Sequence, residues 1–364
     1  MTGLLEGYSF IIYINYNETT MITFDFKSIA KRYAKKVSVG VRPSGEIHLG
    51  NLTTLMFSAL VADRINSDVH LTICDIDAPT NTENKETMLY FKYQRMGKTT
   101  AAEHGAELVS QFTGELEKRT GIRFHIDYLS NVQDTHGYRI GLSSLLRNAD
   151  EVQMIFHGAV DTNKKHVPIY PVCPCCKHAP REEALALGNS TLKTRCKNKA
   201  CREFEHTRLL ELYDERAELG VHYFIDPIRD VMLQPQADVH VFGGDYQKRH
   251  GQNKMPGIAK VEAITEIASR QLRRPFIPDY FIGPILLGPD GRKLSKSAGT
   301  DITYKSLRNR YGDKLNNYLL RFVENIVREG MAAVPYEMIN SHFRISRYHP
   351  QPSARSSAPS LVSS

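Results

Sequence analysis

The sequence predicts an α/β protein built around a parallel sheet. Residues 37–41 form an apolar, β-branched run that predicts a strand, and apolar residues recur at helical spacing from 48 to 65. A second apolar run over 69–74 predicts another strand. A strand, a helix and a further strand in this order are the unit from which parallel sheets are built.

The later segments continue this alternation. The pattern predicts helices over 99–121, 137–157, 207–219, 256–272, 303–311 and 313–328, and strands over 123–128, 239–242 and 280–287. A short basic helix is expected over 27–35. Residues 167–206 are rich in cysteine and loop-like, and the Ser- and Pro-rich tail from about 345 is expected to be disordered.

These segments divide the chain into regions. The predicted regions are an N-terminal extension (1–35), the first half of the sheet domain (36–98), an insertion (99–237) that includes the cysteine region (167–206), the second half of the sheet domain (238–300), a helical region (301–344) and the tail (345–364).

Composition narrows the class of protein. Hydrophobic residues make up 41% and charged residues 24% of 364 positions, which is typical of a globular protein and excludes a disordered chain. The net charge of +7 falls within residues 242–330, and this excess favours either a phosphate-rich partner or a solvated basic surface. The apolar segment at 8–16 is too short to cross a bilayer, and clustered cysteines suit a reducing compartment, so we expect a cytoplasmic protein without membrane contact.

The first candidate site follows the first strand and opens the first helix, at residues 43–51. In an open parallel sheet, ligands bind beyond the carboxyl ends of the strands, and a helix N-terminus favours phosphate. His48 and Asn51 are three residues apart and share a helix face, so both can donate hydrogen bonds to phosphate oxygens. Gly45 and Gly50 would let a nucleotide approach the backbone. A simple strand-to-helix turn is the alternative.

Two further segments carry phosphate- or sugar-binding residue types. The loop 291–299 presents Lys293 and Lys296 among serines and glycines, a pattern that suits a triphosphate or, alternatively, a solvated charge run. Gly243, Gly244 and Asp245 follow a strand, where a carboxylate can accept hydrogen bonds from ribose hydroxyls. A tight turn with a capping aspartate is the alternative there.

The cysteines predict a zinc site. Cys173 and Cys176 form a C-x₂-C pair, and Cys196 and Cys201 form a C-x₄-C pair. Four thiolates from two turns suit tetrahedral Zn²⁺ in a structural role, whereas reduced, unliganded thiols are the alternative. Cys175 could replace one of its neighbours as a ligand.

The His-Leu-Gly-Asn and Lys-Leu-Ser-Lys-Ser segments resemble the paired signatures of class I aminoacyl-tRNA synthetases, over about residues 36–328. The resemblance implies a Rossmann-like sheet with an inserted helical and zinc-binding connective region, and a ligase that makes an aminoacyl-adenylate from ATP with Mg²⁺. It implies that His48 and Asn51 stabilise the phosphates, that Lys293 and Lys296 hold the β- and γ-phosphates, and that residues 301–344 contact the tRNA stem. The other implied ATP-binding residues are Pro43, Ser44, Gly45, Gly50, Gly243, Gly244, Asp245, Ser295 and Ser297.

Within that superfamily the chain is most similar to class I lysyl-tRNA synthetases. The stretches that carry this similarity are 39–51, 102–104, 170–173 and 240–246. The similarity implies activation of lysine and its transfer to the acceptor end of tRNA, with no role for DNA. The implied amino-acid pocket consists of Gly40, Arg42, Asp230, His240 and Tyr280.

The chain also departs from the lysyl family in ways that leave alternatives open. Arg42 stands where the family has a small hydroxyl residue, and it could pair with an aspartate such as Asp230 or recognise a carboxylate. Too little sequence follows residue 329 for the family's helical anticodon-binding domain, so we expect the catalytic domain alone. The alternative functions are a paralogue that transfers the activated amino acid to an acceptor other than tRNA, and a non-catalytic tRNA-binding module.

Overall fold

The computed structural model describes residues 9–13, 21–25, 36–78, 85–161, 163, 165–214, 217–221, 239–247, 249–250, 255–271, 279–294 and 302–343. The helix predicted over 27–35 and the tail from 345 lie outside these residues. Ser9–Tyr13 and Met21–Asp25 pair as an antiparallel hairpin.

A parallel sheet of five strands lies at the centre of the described part, which confirms the predicted α/β class. The strands are β1 (Lys36–Val41), β2 (Asp68–Ile73), β3 (Phe124–Tyr128), β4 (Val239–Phe242) and β5 (Asp279–Ile282). Their order across the sheet is β5-β4-β1-β2-β3. The chain therefore adds β2 and β3 on one side of β1, and then adds β4 and β5 on the other side of β1. The direction of winding reverses between β1 and β4. In sheets of this type that reversal point opens a ligand-binding crevice at the carboxyl ends of the strands.

Six helices accompany the sheet in the described residues. They are α1 (Leu49–Ile65), α2 (Ala101–Thr120), α3 (Gly257–Gln271), α4 (Tyr304–Tyr311), α5 (Leu315–Arg328) and α6 (Tyr336–Phe343). A capping box between Thr100 and Glu103 starts α2, and Gly121 in the left-handed conformation ends it. None of the described helices is both long enough and apolar enough to span a bilayer.

One core joins the sheet to α1, α2 and the three C-terminal helices. Val37, Val39 and Leu52 contribute from the sheet and α1, and Phe322 and Phe343 contribute from α5 and α6, all with fully buried side chains. The strands read as almost continuous apolar runs because both faces of a parallel sheet are covered. The C-terminal helices are thus part of the sheet domain's core.

Most of the insertion lies between β3 and β4. Its helices are Leu129–Gln133, His136–Arg147 and Ala149–His157, and its four-stranded antiparallel sheet consists of His166–Val167, Ala184–Leu187, Thr191–Arg195 and Thr207–Glu211. A second core packs these elements against α3. The short two-stranded pairings are Thr87–Leu89 with His178–Pro180, Arg95–Met96 with Thr99–Thr100, Ile169–Pro171 with Leu219–Val221, Arg249–His250 with Met255–Pro256, and Ile285–Leu286 with Ala333–Val334.

One sequence prediction needs correction. The helix predicted over 207–219 is wrong, because Thr207–Glu211 is a strand paired with Thr191–Arg195 and Leu219–Val221 is another strand. The predicted division of the chain at residue 99 stays a prediction, while α2 packs in the main core and β3 is the edge strand of the central sheet. The chain leaves that sheet only after Tyr128.

Candidate functional site

The turn that follows β1 places His48 at the carboxyl end of that strand, where the winding of the sheet reverses. Gly45 has a φ of 99°, a left-handed conformation that favours glycine, and it lets the chain turn sharply after Pro43. Ile47 and Leu49 are 4% and 1% exposed, so they anchor the chain on either side of the partly buried His48. His48 is the N-cap residue of α1, where the positive end of the helix dipole lies.

Gly50 makes room for the His48 ring. A Cβ added at Gly50 would lie 2.9 Å from Cε1 and 3.0 Å from Nδ1 of His48, closer than carbon atoms tolerate. Gly50 therefore lets the imidazole lie against the first turn of α1, and its predicted role in admitting a nucleotide stays a prediction. Asn51 follows in the same turn and is partly buried.

Backbone hydrogen bonds join this turn to the segment that follows the basic loop. Leu49 donates its N–H to the carbonyl of Ile302 at 2.9 Å, and Tyr304 donates to the carbonyl of Ile47 at 2.7 Å. On the other side of the loop, Leu294 donates to the carbonyl of Leu286 at 2.7 Å. The structure thus fixes both ends of the loop, one of them directly on the N-terminus of α1.

The lysines and serines of that loop are only partly described. Lys293, near the start of the loop, pairs with Leu287 in an isolated β-bridge. Ser295, Lys296 and Ser297 lie outside the described residues, so their predicted phosphate contacts stay predictions.

The two glycines after β4 differ in how much space surrounds them. A Cβ at Gly244 would lie 2.6 Å from the carbonyl oxygen of Pro284, so only glycine fits between these two turns. At Gly243 the nearest described atom would be Oγ1 of Thr54 at 3.8 Å, an ordinary contact. Thr54 lies one turn after Asn51 on α1, so it joins the reversal point although the sequence did not single it out. Asp245 is the second residue of the short 3₁₀ turn Gly244–Gln247, and its predicted contact with ribose stays a prediction.

Arg42 has a partner that the sequence analysis did not name. Its Nε lies 2.5 Å from Oδ2 of Asp77, and its Nη2 donates to the carbonyl of Ala78. Burial raises the pKa of Asp77, and the positive charge of Arg42 opposes that rise. The acidic loop after β2 supplies this partner, whereas Asp230 lies outside the described residues. Gly40, also predicted in the pocket, is exposed at the end of β1.

The other two predicted pocket residues lie in the core. His240 is 3% exposed and its ring stacks on that of Phe242, with 4.0 Å between the centroids. Tyr280 is 7% exposed, and its hydroxyl lies 2.6 Å from Oγ1 of Thr265 on α3. Their predicted contact with an amino acid stays a prediction.

Asp75 ties the carboxyl ends of β2 and β3 together. Its carboxylate is 2% exposed and accepts hydrogen bonds from the backbone N–H of Ser130 at 2.9 Å and from its hydroxyl at 2.6 Å. Burial raises the pKa of Asp75, while the bonds from Ser130 act in the opposite direction. Ser130 follows Asp75 by 55 residues in the sequence, so no local pattern indicates this contact.

The four cysteines predicted as zinc ligands converge. Sγ of Cys173 lies 3.9 Å from that of Cys201, Sγ of Cys176 lies 3.7 Å from that of Cys196, and all four sulfur atoms lie within 4.8 Å of one another. A tetrahedron with Zn–S bonds of ~2.3 Å has edges of about 3.8 Å, so the cluster fits Zn²⁺. Cys175 is exposed and is not one of the four.

Comparisons with known proteins give only distant likenesses. No family model and no curated protein matches the chain. Tyrosyl-tRNA synthetase from Archaeoglobus fulgidus, solved with L-tyrosine, matches at 17% identity and a TM-score of 0.35, over 72% of this chain and 59% of that one. The Leishmania major tyrosyl-tRNA synthetase matches at 13% identity in complexes with tyrosinol (TM-score 0.38) and fisetin (0.39), over 74% of this chain and 30% of that one. The fold assignment rests on the strand order described above.

Proposed function

We propose that the protein activates an amino acid with ATP, forming an aminoacyl-adenylate and pyrophosphate, and then transfers the aminoacyl group to tRNA. A carboxylate oxygen of the amino acid attacks the α-phosphorus, and the bond from that phosphorus to the departing pyrophosphate breaks. The terminal ribose hydroxyl of tRNA then attacks the acyl carbon and AMP leaves. Lysine is the amino acid that we propose first.

One observation carries this proposal: the His48 turn is hydrogen-bonded to the segment that follows the basic loop. The bond from Leu49 to Ile302 brings a helix N-terminus and the end of a lysine-containing loop to the same crevice. The helix end suits the α-phosphate, and loop lysines suit the departing pyrophosphate, whose negative charge develops in the transition state. Catalysis would therefore depend on positioning and electrostatics, with no covalent intermediate on the protein.

The described carboxylates that follow β1 and β2 differ in whether they have partners. Asp75 accepts from Ser130 and Asp77 pairs with Arg42, whereas Oε2 of Glu46, in the His48 turn, is buried without a hydrogen-bond partner, so Glu46 would be the residue that holds a Mg²⁺ ion arriving with ATP. When bound, Mg²⁺ would share the negative charge of the phosphates.

Neutralisation of Arg42 permits an amino acid with a positive side chain. An unpaired guanidinium beside the pocket would repel the lysine ammonium strongly at low dielectric. The contact with Asp77 cancels that charge locally. This pair therefore removes the main electrostatic objection to lysine.

The test is amino-acid-dependent exchange of pyrophosphate into ATP, across all twenty amino acids led by lysine, with and without tRNA. We expect exchange with lysine and charging of tRNA. Exchange without charging of any tRNA would instead favour an acceptor other than tRNA. Binding of tRNA without any exchange would refute catalysis and leave the tRNA-binding module.

Site variants connect the activity to the crevice. His48→Ala and Lys296→Ala should each reduce exchange by at least about 100-fold, because each removes a donor that stabilises the transition state. Lys305→Ala is the matched control, since Lys305 is an exposed lysine on the neighbouring helix α4. Equal exchange rates in Lys296→Ala and Lys305→Ala would refute the role of the loop.

A further inference from the structure

The turn after Cys176 contains a lysine in a conformation that favours glycine. Lys177 has a φ of 60°, and its N–H donates to the carbonyl of Cys173 at 2.9 Å, which closes the turn that carries two cysteines. A side chain in the left-handed region is disfavoured, so glycine would make this turn more easily. Contacts of the lysine side chain outside the turn therefore have to offset the cost of this backbone conformation.

The Lys177 side chain makes such a contact with the carboxylate of Glu218, which lies between two ammonium groups. Nζ of Lys177 lies 3.3 Å from Oε2 of Glu218, and Nζ of Lys92 lies 3.1 Å from Oε1 of the same residue. Both ammonium groups also lie near the ring of Tyr93, at 5.5 and 5.9 Å from its centroid. A network of two cations, one carboxylate and an aromatic ring is worth more than an isolated surface pair.

The network connects two distant parts of the fold. The backbone N–H of Lys92 donates to the carbonyl of Asp75 at 3.0 Å, directly after β2. The carbonyl of Glu218 accepts from Val172 at 2.8 Å, directly before Cys173. Lys92 and Glu218 thus stand between the cysteine cluster on one side and the carboxyl edge of the parallel sheet on the other.

We propose that Lys177 and Glu218 are positioning residues that couple the four-cysteine centre to the carboxyl edge of the sheet. Zinc binding fixes the turn that carries Lys177, and its ion pair with Glu218 then holds Lys92 and the hydrogen bond from Lys92 to Asp75. This coupling goes beyond the proposed activity, because it requires an occupied metal centre but no particular substrate.

The test is hydrogen exchange of the full-length protein, followed by mass spectrometry in peptides that span residues 87–96, with zinc bound and after its removal by a chelator. In the native protein, zinc removal should speed exchange in these peptides. In zinc-loaded Lys177→Gly, exchange there should already be about two- to fivefold faster, as expected for loss of a partly exposed ion pair. Zinc content, measured by elemental analysis, should stay unchanged.

The chain offers a matched control on the other half of the cluster. Glu205 also has a left-handed φ, 59°, and its N–H donates to the carbonyl of Cys196 at 2.9 Å. Its carboxylate pairs with Lys197 and Arg195, both close to it in the same region. Glu205→Gly removes a similar strain and similar ion pairs, yet it should leave exchange over 87–96 at the native rate.

A second variant covers the case in which Lys177→Gly loses zinc or does not fold. Glu218→Gln removes the shared carboxylate at a residue remote in sequence from the cysteines, and it should give the same faster exchange with zinc bound. The proposal is overturned if Glu218→Gln exchanges at the native rate over 87–96. It is also overturned if Lys177→Gly and Glu205→Gly change that rate equally.

Discussion

The contact between α2 and the turn before α1 can be tested by replacing Gly105 with alanine. The added Cβ would lie 2.4 Å from Cβ and 2.8 Å from Cα of Pro43, whereas carbon atoms prefer separations of about 3.5–4.0 Å. The helix or the turn must therefore move by more than ~1 Å. Because Cα of Pro43 is backbone, a side-chain rotation cannot relieve the clash.

The expected magnitude is the difference between two effects. Overpacking of this kind costs about 1–3 kcal/mol, while alanine in place of glycine inside a helix gains about 0.5–1 kcal/mol. Gly105→Ala should therefore lower the free energy of unfolding by about 1 kcal/mol, within a range of ~0–2.5 kcal/mol. Gly114 lies on the same helix, and no described atom comes within 4 Å of an added Cβ there. Gly114→Ala should raise the free energy of unfolding by about 0.5–1 kcal/mol.

Urea unfolding followed by circular dichroism would measure both variants under identical conditions. The two midpoints should move in opposite directions from the native value. Gly105→Ala should also raise the KM for ATP in pyrophosphate exchange, since the displaced turn carries His48, whereas Gly114→Ala should not. Stabilisation by both alanines, or an unchanged KM in Gly105→Ala, would refute the reasoning.

Three further outcomes are expected. Arg42→Met should leave Asp77 without its counter-charge and raise the pKa of that carboxyl further. A carboxyl whose pKa is raised in the folded state lowers the stability of the fold at pH values above that pKa, so the loss of melting temperature relative to the native protein should be larger at pH 8 than at pH 5. An equal loss at both pH values would contradict the pairing. Glu262 on α3 has its pKa raised to about 6 by burial and by Glu266, so its contribution to stability is lost as pH rises through 6. Glu262→Gln should therefore raise the free energy of unfolding by ~1–2 kcal/mol at pH 8, and with it the melting temperature, but should change neither at pH 4.5. Equal shifts of the melting temperature at the two pH values would argue against a titrating Glu262. Cys196→Ser should lower the zinc content from about one ion per chain to near zero by elemental analysis, while retained zinc would remove Cys196 from the ligand set.

Local periodicity was enough to predict the elements that carry the crevice. The apolar run at β1 and the helical spacing of α1 gave bounds close to Lys36–Val41 and Leu49–Ile65. These segments are long and strongly patterned, so local sequence and tertiary packing agree. The spacing of the four cysteines likewise predicted their convergence, because two short turns leave few other arrangements for the thiols.

Features that depend on distant parts of the chain could not be predicted in the same way. The sequence predicts a helix that includes residues 207–211, yet Leu210 is buried while Leu209 is 65% exposed, which is the alternation of a strand paired with its neighbour. The pair of Arg42 with Asp77 joins two loops that only the sheet brings together. No local pattern distinguishes Gly105 from Gly114 either, since only the position of Pro43 makes them different.

The place of β1 in the middle of the sheet has a consequence for biosynthesis. One of its partners, β2, follows soon afterwards, but the other, β4, is translated roughly 200 residues later, which at ~5–20 residues per second is a wait of about 10–40 s. During that interval one edge of a strongly apolar strand has no partner, and such edges are templates for aggregation. The nascent chain should therefore need a chaperone, or transient cover from the insertion, until β4 has left the ribosome.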